Sequence, residues 1–340
     1  MVYGWVGAQL DGQTEKIMIV VTGGAGFIGS AFVWKLNQEG ISDIVIVDVP
    51  GNSAKEENLK NRAFHELISR EDFLQLVLDD AVPWECDALI HMGACTSTTE
   101  MNVDYLTENN YLYTRTLAEW AVGKGVRFIY ASSAATYGDG SLGYSDEEEK
   151  AYDLHPLHPY GRSKHQFDLW AIETEAIKNI VGLKFFNVYG PNEYHKEEMR
   201  SVIHKAFFEV KKTDKIRLFK SYRSEYRDGE QKRDFIYVKD CVDVMWWLLH
   251  NQNVNGIFNL GTGTARTWND LANAVFKAMD RKPVIEYFDM PESMRGQYQY
   301  FTEAAMSKLR ATGYPTEFQT LESGVEDYLQ NYLAQSHAYL

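Results

Sequence analysis

The chain has 340 residues, long for one compact core and short for three, so one large or two intimately joined domains are expected. Hydrophobic residues make up 45%, within the usual range for a soluble globular protein with a sizeable core. Acidic residues outnumber basic ones by 48 to 34, a formal charge of −14, which argues against nucleic acid or an anionic membrane as the main partner. An anionic small molecule stays compatible with that charge, because a few local Arg and Lys reverse the field inside a cleft.

Residues 1–16 lack a basic start and a continuous apolar stretch, so they read as an N-terminal extension and not as a signal peptide. Ile17–Val21 is a short apolar run ending in glycines, the pattern of a buried strand that feeds a turn. That turn is TGGAGFIGS, Thr22 to Ser30, and Ile28–Gln38 then reads as a helix. Asp43–Asp48 (DIVIVD) is a second strand, ending in a carboxylate. Ala88–Met92 and Arg127–Ser132 read as further buried strands, with a helical stretch around Tyr105–Val122 between them. The charge run Asp146–Lys150 (DEEEK) reads as a solvated loop. Val181–Asn187 continues the strand series.

After Asn187 the texture changes, and Glu193–Arg233 is rich in charged and aromatic residues. Phe235–Val238 and Ile257–Leu260 read as sheet strands again, separated by a Trp-bearing helix, Cys241–Leu249. Nearly all-apolar strands alternating with helices predict an α/β fold, a doubly wound parallel (Rossmann) sheet covered on both faces. The expected division is a dinucleotide-binding domain over 17–186 and 234–263, with a smaller C-terminal substrate lobe over 187–233 and 264–335. Cys86, Cys95 and Cys241 show no CxxC or Cys/His spacing, so neither a disulfide framework nor a metal site is expected, and a reducing cytoplasm fits. Apolar runs are strand-length, too short to span a membrane.

Gly23, Gly26 and Gly29 stand between the first strand and first helix in a G-x-x-G-x-x-G pattern. The first permits a tight turn, the second lets the backbone approach a pyrophosphate, and the third allows close helix–strand packing. The helix N-terminus then offers free N–H groups to phosphate. Asp48 lies where a carboxylate accepts from an adenosine ribose hydroxyl, which favours NAD, whereas Lys55, Arg62 and Arg70 follow and suit a 2′-phosphate. Spacing alone leaves NADP and NAD both open.

Tyr160 and Lys164 are four residues apart, hence neighbours on one helical face. A free phenol has a pKa of about 10, too high for an efficient base at neutral pH, and a nearby ammonium is expected to lower it. Ser133, at the end of its strand, is placed to hydrogen-bond a reacting hydroxyl. Together with the glycine turn, these residues point to hydride transfer at a carbinol carbon.

The glycine turn, YASSAATYG (Tyr130–Gly138), the Tyr160/Lys164 pair and FFNVYGP (Phe185–Pro191) resemble the extended short-chain dehydrogenase/reductase family. Within it, HMGACTSTTE (His91–Glu100), NNY (Asn109–Tyr111), HK (His195–Lys196), KRDFIYV (Lys232–Val238), FNLGTG (Phe258–Gly263) and RGQYQYFT (Arg295–Thr302) resemble the ADP-L-glycero-D-manno-heptose 6-epimerases. The resemblance runs from about Met18 to near the C-terminus. It implies an NADP-dependent isomerase that inverts C6″ of an ADP-heptose through a transient ketone, in lipopolysaccharide core synthesis. Two acid/base groups on opposite faces are then implied, Tyr160 and Lys196, assisted by Lys164 and Ser133.

The same resemblance implies further roles. Phe27 and Ile28 would lie in the glycine turn, Asp48 and Val49 at the adenosine ribose, and Lys55 and Arg70 beside a 2′-phosphate. Met92, Gly93, Ala94, Cys95 and Thr96 would line the cofactor, with Asn109, Val188, Lys164 and Lys196. Asn187, Lys205, Phe219, Lys220, Ser221, Tyr222, Arg233 and Tyr298 would face the ADP-sugar, and Arg233 suits a diphosphate because a guanidinium binds oxygens in pairs. A cytoplasmic homo-oligomer, a pentamer in the family, is also implied.

The chain departs from the family pattern at Val49, Asn192, Glu198, Lys205 and an extra loop at Ser224–Gln231. Glu198 beside a diphosphate would be repulsive unless Lys196 or Lys205 compensates. Two other readings stay open: another nucleotide-sugar enzyme, such as a 4-epimerase or 4,6-dehydratase, and a non-catalytic dinucleotide sensor. Against a dehydratase, the segment Ser132–Tyr137 (SSAATY) carries no acid for elimination.

Overall fold

A computed structural model describes residues 18–296 and 298–340, so the extension expected at 1–16 lies outside the described residues. In chain order the strands are β1 (Met18–Thr22), β2 (Ile44–Asp48), β3 (Glu66–Ser69), β4 (Cys86–His91), β5 (Arg127–Ser133) and β6 (Ile180–Phe185). They continue as β7 (Asn187–Tyr189), β8 (Ile216–Phe219), β9 (Lys232–Tyr237), β10 (Gly256–Leu260), β11 (Ala265–Thr267) and β12 (Ile285–Phe288). Seven of these form one sheet in the order β10-β6-β5-β4-β1-β2-β3, every neighbour parallel. The chain winds outward from β1 in one direction to β3 and in the other through β4, so β1 and β4 flank the switch point where such sheets open a ligand crevice.

Strand periodicity builds the two faces. Ile19, Val21, Ile46 and Ile90 pack into one buried cluster, while Met18, Val20, Val47 and Leu89 pack into the other. Each large apolar side chain so buried contributes about 1.5–3 kcal/mol. Helices Phe27–Gln38 and Val238–His250 cover the first face, and Tyr113–Lys124 and Pro159–Glu173 the second.

Three readings of the sequence need correction. Phe235–Val238 was expected in the main sheet, but β9 joins a separate three-stranded sheet, parallel to β7 and antiparallel to β11. Its buried Asp234 explains the separation: the carboxylate accepts from the amides of Thr262, Gly263 and Ala304, partners that a parallel strand neighbour does not offer. The expected strand Val181–Asn187 breaks at Phe186, whose amide bonds to Leu260 O, and Asn187 passes to β7.

Asp146–Lys150 is not simply a solvated loop. Asp146 is buried and accepts from the Asn259 amide at 2.8 Å, while Glu148 accepts from Ile257 N at 3.0 Å and pairs with Lys308 at 2.6 Å. β10 is an edge strand, and these carboxylates satisfy its outward amides, which blocks pairing with another chain. β3 escaped notice because its ELIS pattern is short and only partly buried.

Candidate active site

At the C-terminal end of β1 the chain turns so tightly that side chains are excluded. Gly23 has φ 64°, and a Cβ there would sit 2.7 Å from the Gly93 backbone. A Cβ on Gly29 would lie 2.1 Å from Gly23 O. The following helix, Phe27–Gln38, has Gly26 as its N-cap and no side-chain cap, which leaves its first amides available to an anion. Beyond this turn opens a cleft of about 770 Å³, lined by the turn and by Ile28, Met92, Gly93, Ala94, Cys95 and Thr96. Val49, Asn109 and Val188 line it too.

Asp48, at the end of β2, is buried and accepts from the amides of Ala25 (3.0 Å) and Val49 (2.8 Å). Lys55 Nζ adds a third contact at 2.9 Å. Arg70 donates to Asn109 Oδ1 and lies 4.9 Å from the Tyr113 ring, while among the described residues its buried Nε has no hydrogen-bond partner and pairs only loosely with Glu71 at 3.8 Å. Glycine turn, uncapped helix, carboxylate and two cations in one cleft are the donor set a dinucleotide requires. Asn109 and Asn110 lie in a π-helical stretch, Thr107–Leu112. Asn110, given no role of its own within the NNY string, exchanges bonds with the Cys95 backbone and donates to Ser163 Oγ, tying the Met92–Thr96 loop to the Pro159–Glu173 helix.

Ser133, Tyr160 and Lys164 all line this cleft. Ser133 hydrogen-bonds the Tyr160 phenol, and Lys164 Nζ donates to Ala131 O at 2.8 Å. The expected lowering of the phenol is not found: burial pushes Tyr160 up, and the Ser133 bond offsets only part. Burial also brings the Lys164 ammonium down to about 8, against the opposing pull of Asp168 and Cys95. Desolvation disfavours the ionic form of each group.

Lys196 lines the same cleft, with Nζ 5.4 Å from the Phe27 ring centroid. Burial lowers its pKa and the Glu193 carboxylate raises it. The segment Tyr194–Met199 that carries it is broken at Glu197, which takes φ 48°. His195, which no sequence argument singled out beyond the HK string, also lines the cleft. Its Nδ1 lies 3.3 Å from Asn58 Nδ2, and burial brings the imidazole down to about 4.

On the expected substrate side, Asn187 lines the cleft and the others do not. Arg233 is buried behind Trp268, a cleft residue that donates to Tyr298 OH at 2.8 Å. The guanidinium lies 5.1 Å from the Tyr298 ring and 5.8 Å from that of Trp268, and donates to Lys232 O. Phe219 stands edge-on to Tyr298. Lys220 and Tyr222 both bind Asp289, and the Ser221 amide donates to Asp228. Lys205 binds Glu198, so the acid that would have repelled a diphosphate is compensated by that lysine. Lys205, Lys220 and Tyr222 thus engage neighbouring acids, and Arg233, Tyr298 and Phe219 stand in a layer behind Trp268, which itself lines the cleft.

The model of the NAD dependent epimerase/dehydratase family matches residues 19–261. The chain belongs to that family. A relative from Nitratidesulfovibrio vulgaris strain DP4, named ADP-L-glycero-D-manno-heptose-6-epimerase, is 58% identical over 95% of this chain and 100% of its own. Among solved structures, the Helicobacter pylori ADP-L-glycero-D-manno-heptose-6-epimerase superposes with TM-score 0.77 at 28% identity, covering 93% of this chain and 96% of that one. The Thermus thermophilus UDP-glucose 4-epimerase, solved with NAD, gives TM-score 0.70 at 25% identity over 91% and 97%. This family member is therefore an isomerase of the epimerase type that uses a nicotinamide adenine dinucleotide. Among the described residues no helix is long and apolar enough to cross a membrane.

Proposed function

We propose that this epimerase converts ADP-D-glycero-D-manno-heptose to ADP-L-glycero-D-manno-heptose by inversion at C6″, with NADP bound, to supply lipopolysaccharide core synthesis. The observation that carries this reading is that one cleft is lined both by Ser133, Tyr160 and Lys164 and by Lys196, which arrives on a separate loop. The 58% identity to the N. vulgaris relative over nearly the whole chain supports the choice of sugar.

The glycine turn, Asp48, Lys55 and Arg70 would hold the dinucleotide, which would supply hydride acceptance from C6″ and hydride return to it. Tyr160 and Lys196 then divide the proton work, since inversion requires one acid/base group on each face. Ser133 would orient the reacting hydroxyl, and Lys164, which shares the cleft with the phenol, would hold a nicotinamide ribose hydroxyl. Lys55 and Arg70 hold the 2′-phosphate beside Asp48. Arg233, Tyr298 and Phe219 set the wall behind Trp268, and Lys205 with the Phe219–Tyr222 segment lies at the lobe surface through which the ADP-sugar enters.

A substrate lobe over 187–233 and 264–335, a cytoplasmic location and a pentameric assembly belong to the same proposal, and sedimentation velocity tests the last. The main test is turnover of ADP-, UDP- and GDP-sugars followed by NMR, with mass spectrometry of cofactor released on denaturation. Conversion confined to the ADP-heptose, with NADP released, is expected. Turnover of a UDP-sugar at C4″ instead would replace this reading with a 4-epimerase.

A further inference from the structure

Glu193 is 1% exposed, and four donors converge on its carboxylate. Tyr328 OH donates at 2.9 Å and Ser201 Oγ at 2.7 Å, while the amides of Ser201 and Gly190 complete the set. Gly190 precedes the Lys196 loop, and Ser201 follows it as N-cap of the Val202–Thr213 helix. One carboxylate therefore closes both ends of the loop. Its neighbour Asn192, fully buried at φ 75°, fixes the same loop outward, donating to Ser30 Oγ and accepting from the Leu340 amide.

Both backbone amides are obligate donors, so the carboxyl oxygens act as acceptors, the arrangement of an ionised group. We infer that Glu193 is a positioning residue for Lys196: its carboxylate clamps both ends of the loop that carries that lysine into the cleft, and its buried charge acts on the ammonium. The inference rests on the reading of Lys196 as the second acid/base group.

Burial works against both charges, leaving the Glu193 carboxyl raised and the Lys196 ammonium lowered overall. Burial raises the Glu193 carboxyl, while Ser201, Tyr328 and Lys196 pull it back. Around Lys196, the glycine turn presents the neutral Phe27 ring, and the loop itself presents Glu193 and His195. Lys55 and Asp48, from the end of β2 and the segment after it, act on His195 with opposite sign. Arg200 flanks the loop before Ser201, and Tyr328 and Tyr194 complete the surroundings of Glu193. Glu193 offsets part of the lowering that burial imposes on Lys196.

The test uses the full holoenzyme with Glu193→Gln, which keeps an acceptor oxygen and removes the charge. Acetic anhydride labelling of Lys196 against pH, read by peptide mass spectrometry, is expected to show its midpoint moved to lower pH, with that of Lys164 unmoved. The limb of the kcat profile that follows Lys196 should move the same way, with kcat at neutral pH down by about tenfold and KM nearly unchanged. A wild-type Lys196 midpoint and pH profile in a folded Gln variant would overturn the inference. Should that variant not fold, Glu193→Asp keeps the charge but withdraws it by one methylene. A smaller downward move of the midpoint with reduced kcat is expected, and no change in either would overturn it. Lys196→Met separates the two claims: if it epimerises normally, the two-base reading fails, whereas the labelling midpoint still reads what Glu193 does.

Discussion

The Lys55 ammonium lies 2.9 Å from the Asp48 carboxylate, and that carboxylate already accepts from the amides of Ala25 and Val49. A carboxylate at the end of β2 ordinarily repels a 2′-phosphate. Here its charge is balanced by a lysine in the same cleft, with Arg70 nearby as a second cation. Removing Lys55 or Arg70 by substitution with Ala should weaken NADP binding about 10- to 100-fold each, the worth of one charge-assisted hydrogen bond, and leave NAD nearly unaffected. Isothermal titration with both dinucleotides checks this. Equal losses for the two would mean that these cations do not meet the 2′-phosphate.

Lys164 sets a pH limit. Burial brings its ammonium to about 8 in the folded protein, so the positive charge is lost as pH rises through that value. The profile of kcat/KM, which reports the free enzyme, should therefore fall above about pH 8. Lys164→Arg keeps its charge and should move this limb to higher pH at a reduced maximal rate. The sign for stability runs the other way. The unfolded chain binds the proton up to the ordinary 10.5, so stability rises with pH between about 8 and 10.5 as the buried cation is neutralised.

Asp168 and Lys184 form a buried pair, 3.6 Å apart. Asp168 accepts from Tyr130 OH and Ser132 Oγ, and Lys184 donates to Thr136. Asp168 stands one turn beyond Lys164 on its helix, so its bonds to Tyr130 and Ser132 fix that helix against the strand bearing Ser133, while Lys184 ties it to β6. Asp168→Ala should cost about 3–5 kcal/mol in urea unfolding, because it strands a buried cation. Adding Lys184→Met should recover part of that loss, and strictly additive losses would show that the two charges are not coupled.

How much of this was legible in the sequence depended on whether an element explained itself locally. β1, β2, β4 and β5 are continuous apolar runs ending in a glycine turn, a carboxylate or a serine, and each appears within about two residues of its expected place. β9 looked the same, yet its sheet was decided by loop amides contributed by Thr262, Gly263 and Ala304, distant in sequence. DEEEK looked solvated because a charge run carries no record of the edge strand it caps. The residues expected at the cofactor were found lining one cleft, because consecutive residues of one turn or loop share a wall. Arg233 and Tyr298 were not, since a second layer behind Trp268 looks like a first layer in sequence. The lowered phenol failed for a related reason: the four-residue spacing of Tyr160 and Lys164 shows their proximity but not the burial that both must bear.

The central claim is that the hydride taken from the sugar is the one returned. ADP-D-glycero-D-manno-heptose deuterated at C6″, incubated with the purified holoenzyme in ordinary water, should yield the L-glycero epimer with deuterium still at C6″ by NMR. Inverted product carrying solvent hydrogen at that carbon, or no inversion at all, would contradict it.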